Sequence, residues 1–135
     1  MSVYYDQFYC SPCNEYSIII EDDGRVCYAY LMLKDKIVGD VWIYNRAITP
    51  IKAEWNKEEI PFLNPTEYAK TDIVMRPVNN KDDIKIDSIF IDNNCTLDQV
   101  KIFIHGNLVA ILRHGSKPGW SINAKKDGPI AKTLL

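Results

Sequence analysis

Long hydrophobic runs are missing from this chain of 135 residues. The longest ones, such as residues 18–20 and 108–112, are far shorter than the roughly 20 residues that cross a bilayer. The first residues have neither a basic start nor an apolar stretch followed by a small-residue cleavage site, so no export signal is visible. We therefore expect no membrane association and a cytoplasmic location.

A large excess of charge of one sign is also missing. The chain has 16 Lys and Arg residues against 18 Asp and Glu residues, a formal net charge of −2. Dedicated nucleic-acid binders normally have a strong basic excess, so we expect no nucleic-acid partner. Hydrophobic residues make up 47% of the chain, enough to bury one core without metal or disulfide support. The composition predicts a single globular domain over residues 1–135.

The signatures of several enzyme classes are absent from the sequence. There is no Gly-x-Ser-x-Gly nucleophile elbow and no glycine-rich phosphate loop that ends in Lys-Ser or Lys-Thr. His105 and His114 fall at a hairpin tip and at a strand end, where we expect solvated side chains. We therefore predict no catalytic residues, no enzymatic activity and no cofactor.

Strand patterns dominate what the sequence does contain. Residues 15–20 and 26–33 flank Asp23-Gly24, a strong hairpin signal, and residues 37–44 complete a three-stranded meander. The alternation in residues 84–91 shifts near Ser88, which predicts a bulge. Further strands are predicted over residues 72–77, 100–104 and 108–112. The pattern predicts a mainly β, β-rich α+β fold with about seven antiparallel strands in a sandwich or a curled sheet, and a few short helical turns.

Two regions interrupt the strand pattern. Residues 45–71 contain three prolines and mix charges of both signs, so we predict an irregular excursion with helical turns that either forms a pocket or only covers the core. Near the end of the chain, Ser121 is a predicted cap for a short helix that ends at Gly128, and Pro129 is predicted to start a last turn. The basic segment 114–120 either holds a phosphate or seats Trp120 on the core.

The charges are unevenly distributed along the chain. Residues 1–23 have five acidic and no basic side chains, whereas residues 113–135 have five basic side chains and one acidic side chain. Either the two ends neutralise each other, or an acidic surface is complementary to a charged partner. A second acidic cluster at residues 82–92 favours a basic partner.

Tyrosines accompany the acidic start of the chain. A tyrosine provides a large contact area at low entropic cost, and carboxylates repel phosphate backbones, so the combination suits a protein-binding surface. The same crowding is also typical of an edge strand packed across a sandwich. The candidate binding residues are Asp6, Tyr9, Glu15, Asp22, Asp23, Asp82, Asp83 and Asp87.

Four cysteines are present, and two of them form the element Cys10-Ser-Pro-Cys13. Such a pair forms either a redox centre or half of a zinc site. There is no second C-x-x-C element, although Cys27 and Cys95 would complete a set of four thiolates. Cys27 lies in an apolar strand, where a free buried thiol is more common. We expect incidental thiols and no bound metal, with Cys10 and Cys13 as the ligands if a metal does bind.

Three segments carry a resemblance to known proteins: Ile37-Val-Gly-Asp-Val-Trp-Ile-Tyr-Asn45, Pro61-Phe-Leu-Asn-Pro65, and Lys117-Pro-Gly-Trp-Ser121 with residues 124–129. They look like segments of small uncharacterised bacterial proteins. The size and acidity of the chain resemble those of immunity proteins, which neutralise toxins in bacterial competition. The family is diverse in fold, and no functional residue is carried over from it.

The leading hypothesis is a cytoplasmic, non-enzymatic inhibitor that occludes a basic toxin or nuclease. A nuclease needs a cationic cleft for its substrate, so an acidic and aromatic surface is complementary to it. One alternative is a small zinc- or thiol-dependent protein that uses Cys10 and Cys13. Another is a small enzyme with a pocket under residues 45–71. The sequence predicts no oligomeric state.

Overall fold

The computed structural model describes residues 4–24, 26–45 and 77–134. The predicted excursion after Asn45 lies outside the described residues. So does the predicted strand at residues 72–77, except for Pro77, which is not in a strand.

The first half of the chain forms an antiparallel meander. Its strands are β1 (Tyr4–Tyr9), β2 (Tyr16–Asp22), β3 (Val26–Leu33) and β4 (Lys36–Asn45), in that order across the sheet. The predicted β2–β3 hairpin is confirmed. In its turn, Gly24 adopts a φ of 95° and the Asp23 carboxylate accepts a hydrogen bond from the Val26 amide. The tyrosine-rich start of the chain is the edge strand β1.

The second half forms a five-stranded sheet in the order β5-β6-β7-β8-β9. The strands are β5 (Ile84–Phe90), β6 (Leu97–Ile104), β7 (Asn107–Leu112), β8 (Trp120–Ser121) and β9 (Lys132–Thr133). All pairs are antiparallel except β8 with β9. The bulge predicted in β5 near Ser88 is wrong: burial alternates along all of β5, and the register shift between Ile89 and Phe90 leaves the extra residue, Asp98, in β6. The mainly β, antiparallel fold class is therefore correct.

Helical structure is scarcer than the sequence predicted. Among the described residues, the 3₁₀ turn Lys81–Asp83 is the only helical element, and no helix there is long and apolar enough to span a membrane. The helix predicted after Ser121 is wrong, because Ser121 pairs with Ala110 of β7 and lies in β8. The predicted turn after Pro129 contains β9 instead. In both places, pairing with a distant strand outweighs the local helix signals.

Both sheets contribute to one hydrophobic core, which includes the fully buried Trp42, Ile18 and Ile102. The outer edge of β4 is covered by backbone hydrogen bonds from the C-terminal segment. The Gly115 amide donates to the Val38 carbonyl, and the Gly119 amide donates to the Asp40 carbonyl over 2.7 Å. Among the described strands, β1, β5 and the two-residue β9 are edge strands without such backbone cover, and β1 and β5 are the two long ones.

The expectation of four incidental thiols is wrong for two of the cysteines. Cys13 forms a disulfide with Cys95, which joins the β1–β2 connection to the β5–β6 connection. The packing of the two sheets brings together residues that are 82 positions apart in the sequence, and this distance hides the pairing from local analysis. Cys10 and Cys27 lie outside the disulfide and are buried, as expected for incidental thiols.

Candidate functional site

Most of the exposed large hydrophobic side chains in the described part of the chain lie on or next to the edge strands β1 and β5. Among the described residues, the exposed large hydrophobic side chains are Tyr5 and Tyr9 in β1, Ile89 in β5, Ile91 directly after β5, and Ile37 in β4. Tyr9 and Ile91 are 66% and 67% exposed. We use the name β1/β5 edge for the surface formed by three segments. These are β1, β5 together with Ile91, and the 3₁₀ turn Lys81–Asp83.

One end of this edge is cross-linked between the sheets. The Ser11 amide donates a hydrogen bond to the Ser88 hydroxyl over 3.4 Å. The disulfide holds the Cα atoms of Cys13 and Cys95 5.7 Å apart. The Tyr16 and Phe90 rings pack with centroids 6.3 Å apart. These contacts hold the β1–β2 connection and the start of β2 against β5 and the β5–β6 connection.

At the other end, Tyr4 lies between two of the predicted carboxylates. Its hydroxyl donates a hydrogen bond to the Asp6 carboxylate over 3.4 Å. Burial raises the pKa of Tyr4 to about 12, and the negative charges of Asp6 and Asp83 add to the effect. The fold therefore brings together Asp6 and Asp83, which lie in separate acidic clusters of the sequence.

The β1/β5 edge has more acidic than basic side chains. Its four carboxylates belong to Asp6, Asp82, Asp83 and Asp87, and its two ammonium groups belong to Lys81 and Lys85. Asp82 and Asp87 are exposed. The Asp83 carboxylate accepts hydrogen bonds from the Asn79 and Asn80 amides. Five of the eight predicted binding residues therefore lie on this edge, namely Asp6, Tyr9, Asp82, Asp83 and Asp87.

The other three predicted binding residues have different surroundings. Asp22 is fully buried and accepts hydrogen bonds from the Tyr44 hydroxyl over 2.6 Å and from the Gly24 amide. It supports the core and does not reach the surface. Asp23 holds the β2–β3 turn through the Val26 amide. Glu15 is exposed at the turn before β2, where it forms an ion pair with Lys34.

The expectation of solvated histidine rings is wrong for His105, whereas His114 is exposed as expected and also contacts Tyr16. His105 Nε2 lies 3.2 Å from the Pro77 carbonyl, its Nδ1 lies 3.6 Å from the Asp83 carboxylate, and its side chain is 12% exposed. His114 is exposed, but its Nδ1 lies 2.9 Å from the Tyr16 hydroxyl. Each ring fixes a loop to a neighbouring segment.

The cysteine pair does not form a metal or redox site in this structure. The Cys13 sulfur is bonded to Cys95, and Cys10 is 3% exposed. Burial raises the pKa of the Cys10 thiol, and a hydrogen bond with Ser88 offsets only part of this effect. The raised pKa makes a reactive thiolate unfavourable. Within residues 4–24, 26–45 and 77–134, no group of three His, Cys, Asp or Glu side chains is arranged to hold a metal ion.

The sequence analysis missed a groove on the outer side of the second sheet. It has a volume of about 330 Å³ and is lined by Gln99, Ile111, Arg113, Trp120, Thr133 and Leu134. The available signal was the basic segment around Trp120. That segment seats the Trp120 ring, which is half-buried beside the groove and not enclosed in the core.

Comparison with known proteins adds no assignment to either surface. No family model, curated protein or solved structure matches the chain significantly. The chemistry of the β1/β5 edge and of the groove therefore has to be interpreted from the side chains that form them.

Proposed function

We propose that this chain is a non-enzymatic protein-binding module, an immunity-type inhibitor of a basic toxin or nuclease, and that the β1/β5 edge is its binding surface. The observation that carries the proposal is the exposure of Tyr5 and Tyr9 on the edge strand β1, which also contains Asp6 and whose Tyr4 is influenced by the charges of both Asp6 and Asp83. The resemblance to immunity proteins supports the same interpretation.

The chemistry of the edge fits a basic protein partner. Tyrosine side chains bury large areas with few rotatable bonds, and they are enriched at protein interfaces. An edge strand has unpaired backbone amides and carbonyls that a partner segment can bind. Four carboxylates against two ammonium groups give the edge a formal charge of −2, which attracts a cationic surface and repels nucleic acid. A nuclease that binds here would lose access to its substrate.

Binding to basic nucleases tests the proposal, beginning with any toxin encoded beside this gene. We expect the affinity to fall between low and moderate salt, because the attraction between opposite charges is screened. We expect Asp82→Lys to weaken binding by about tenfold, because an attractive charge becomes a repulsive one. Titration calorimetry at both salt concentrations measures these effects.

Asp35→Lys is the matched control, because Asp35 is exposed in the turn between β3 and β4, away from the β1/β5 edge. It makes the same change of net charge and is expected to alter the affinity by less than about twofold. Equal weakening by both variants would show a general charge effect and contradict a contact at the edge. Binding that is insensitive to salt and to Asp82→Lys would remove the electrostatic part of the proposal.

Tyr9 tests the apolar part of the same surface. Its side chain is 66% exposed, so Tyr9→Ala is expected to change the free energy of unfolding little. If Tyr9 is buried by the partner, its removal weakens binding by about thirtyfold, the scale of an aromatic interface anchor. An affinity equal to that of the wild type would place the partner elsewhere on the molecule.

The proposed location is the cytoplasm, and the disulfide argues against it. Disulfides persist in oxidising compartments and are rare in the cytosol. Thiol trapping of the protein, in cells that express it from its own gene, decides between the cytoplasm and an oxidising compartment. Reaction of Cys13 and Cys95 with the trapping reagent supports the cytoplasm, whereas protection of both until a reductant is added supports an oxidising compartment.

A further inference from the structure

The groove beside Trp120 combines apolar, aromatic and cationic side chains. Ile111 and Leu134 provide apolar walls, and Gln99 provides an amide that both donates and accepts hydrogen bonds. Its volume of about 330 Å³ is at the small end of the range for ligand sites. The groove is lined by residues of β6, β7 and β8 and of the segment around β9, and none of its lining residues belongs to the β1/β5 edge.

Two cations flank the Trp120 ring. The Arg113 guanidinium carbon lies 5.5 Å from the ring centroid, and the Lys132 Nζ lies 4.9 Å from it. These contacts hold the two charged groups beside Trp120, which lines the groove, through cation–π attraction. In the described part of the chain, neither group lies within ion-pairing distance of a carboxylate. Their hydrogen-bond donors are therefore available to an anion.

Cross-strand register extends this arrangement across the sheet. Lys101 of β6 lies opposite Ile111 of β7, Ile111 lies opposite Trp120, and Trp120 lies opposite Lys132. Residues at opposite register positions share one side of a sheet, so a third cation lies in the same row.

Two carboxylates lie near this row and limit its net charge. Asp127 accepts hydrogen bonds from the Thr133 amide and hydroxyl, and Asp87 lies opposite Lys101. The three cations Arg113, Lys101 and Lys132 outnumber these two carboxylates by one, so the row has a formal net charge of +1. A ligand with one or two negative charges fits this balance better than a polyanion.

We propose that this groove binds a small aromatic anion, a molecule with one flat ring and one phosphate or carboxylate group. The anionic group binds the Arg113 guanidinium, whose planar fork of donors matches oxygen acceptors, and the nearby Lys132 adds a second positive charge beside Trp120. The ring lies between Ile111 and Leu134 and contacts the edge of Trp120. Binding removes both the ligand ring and the apolar walls of the groove from water. This burial adds affinity that an inorganic anion lacks.

Phenyl phosphate is the probe that contains both parts, and phenol and inorganic phosphate are its two halves. We expect a saturable shift of the Trp120 indole N–H signal in the nuclear magnetic resonance spectrum of the full chain. Loss of that signal in Trp120→Phe identifies it. Each half is expected to bind at least about tenfold more weakly than phenyl phosphate. Benzoate in place of phenyl phosphate shows whether a carboxylate is accepted as well.

Single-residue variants locate the anion. We expect Arg113→Gln and Lys132→Gln each to weaken phenyl phosphate binding by about tenfold, the scale of one charge-assisted hydrogen bond. Lys85→Gln is the matched control. Its ammonium also lies over an aromatic ring, 5.7 Å from the ring centroid, but this ring is Phe103 of β6 and not Trp120. We expect Lys85→Gln to change the affinity by less than about twofold.

Three outcomes would overturn the proposal. One is the absence of a saturable shift, and another is phenyl phosphate binding no tighter than inorganic phosphate. The third is equal weakening by Lys85→Gln and Arg113→Gln, which would show a diffuse charge effect. None of these outcomes bears on the β1/β5 edge, because the probe contains no protein.

Discussion

Reduction of the Cys13–Cys95 disulfide is expected to lower the free energy of unfolding by about 4.5 kcal/mol. The bond joins residues with a sequence separation of 82, and closing so long a loop removes much conformational freedom from the unfolded chain. Because a domain of this size is typically stable by only about 5–15 kcal/mol, this one bond accounts for a large share of the total. Urea unfolding with and without a reductant measures the loss.

The double variant Cys13→Ser/Cys95→Ser separates the bond from other effects of the reductant. We expect it to have the stability of the reduced wild type, and we expect a reductant to change it no further, because Cys10 and Cys27 form no disulfide. Wild-type protein whose unfolding midpoint is unaffected by reduction would contradict this account.

Gly119→Ala is expected to destabilise the fold by about 3 kcal/mol or more, through overpacking. A Cβ atom at this position would lie 2.6 Å from the Ile111 carbonyl oxygen and 2.7 Å from Leu112 Cδ2. The backbone has little freedom to move away. The Gly119 amide donates to the Asp40 carbonyl, and the Gly119 carbonyl accepts a hydrogen bond from the Lys132 amide. Thermal unfolding of the variant tests this expectation.

Gly106→Ala is the matched control for Gly119→Ala. Gly106 has a φ of 83°, but a Cβ atom there would meet nothing within 4 Å. Only the strain of a left-handed conformation remains, at about 1 kcal/mol. Equal destabilisation by the two variants would show that crowding at Gly119 is not the cause.

The hairpins were predictable from the sequence because their signals are local. Alternating apolar residues define β2, β3 and β7, and turn residues such as Asp23-Gly24 lie between the runs. Strands β8 and β9 were missed because each has only two residues and depends on partners that lie elsewhere in the chain. A period of two is not visible in so short a segment.

The composition of the candidate site was predictable, but its assembly was not. Asp6, Tyr9 and Asp82 were identified from local clusters of charge and aromatic residues. The proximity of β1 to β5 and the pairing of Cys13 with Cys95 result from the packing of two sheets, which no local pattern encodes. For Asp22 a local signal existed: it alternates with the buried Ile18 and Ile20 and therefore faces the core.

Amide hydrogen exchange of the complex with a basic nuclease tests the central claim most directly. If the β1/β5 edge is the binding surface, exchange slows at the amides of residues 4–9 and 81–91 when the partner is added, and the outer side of β7 is unchanged. Slowed exchange confined to other parts of the sheets, with residues 4–9 and 81–91 unaffected, would contradict the claim.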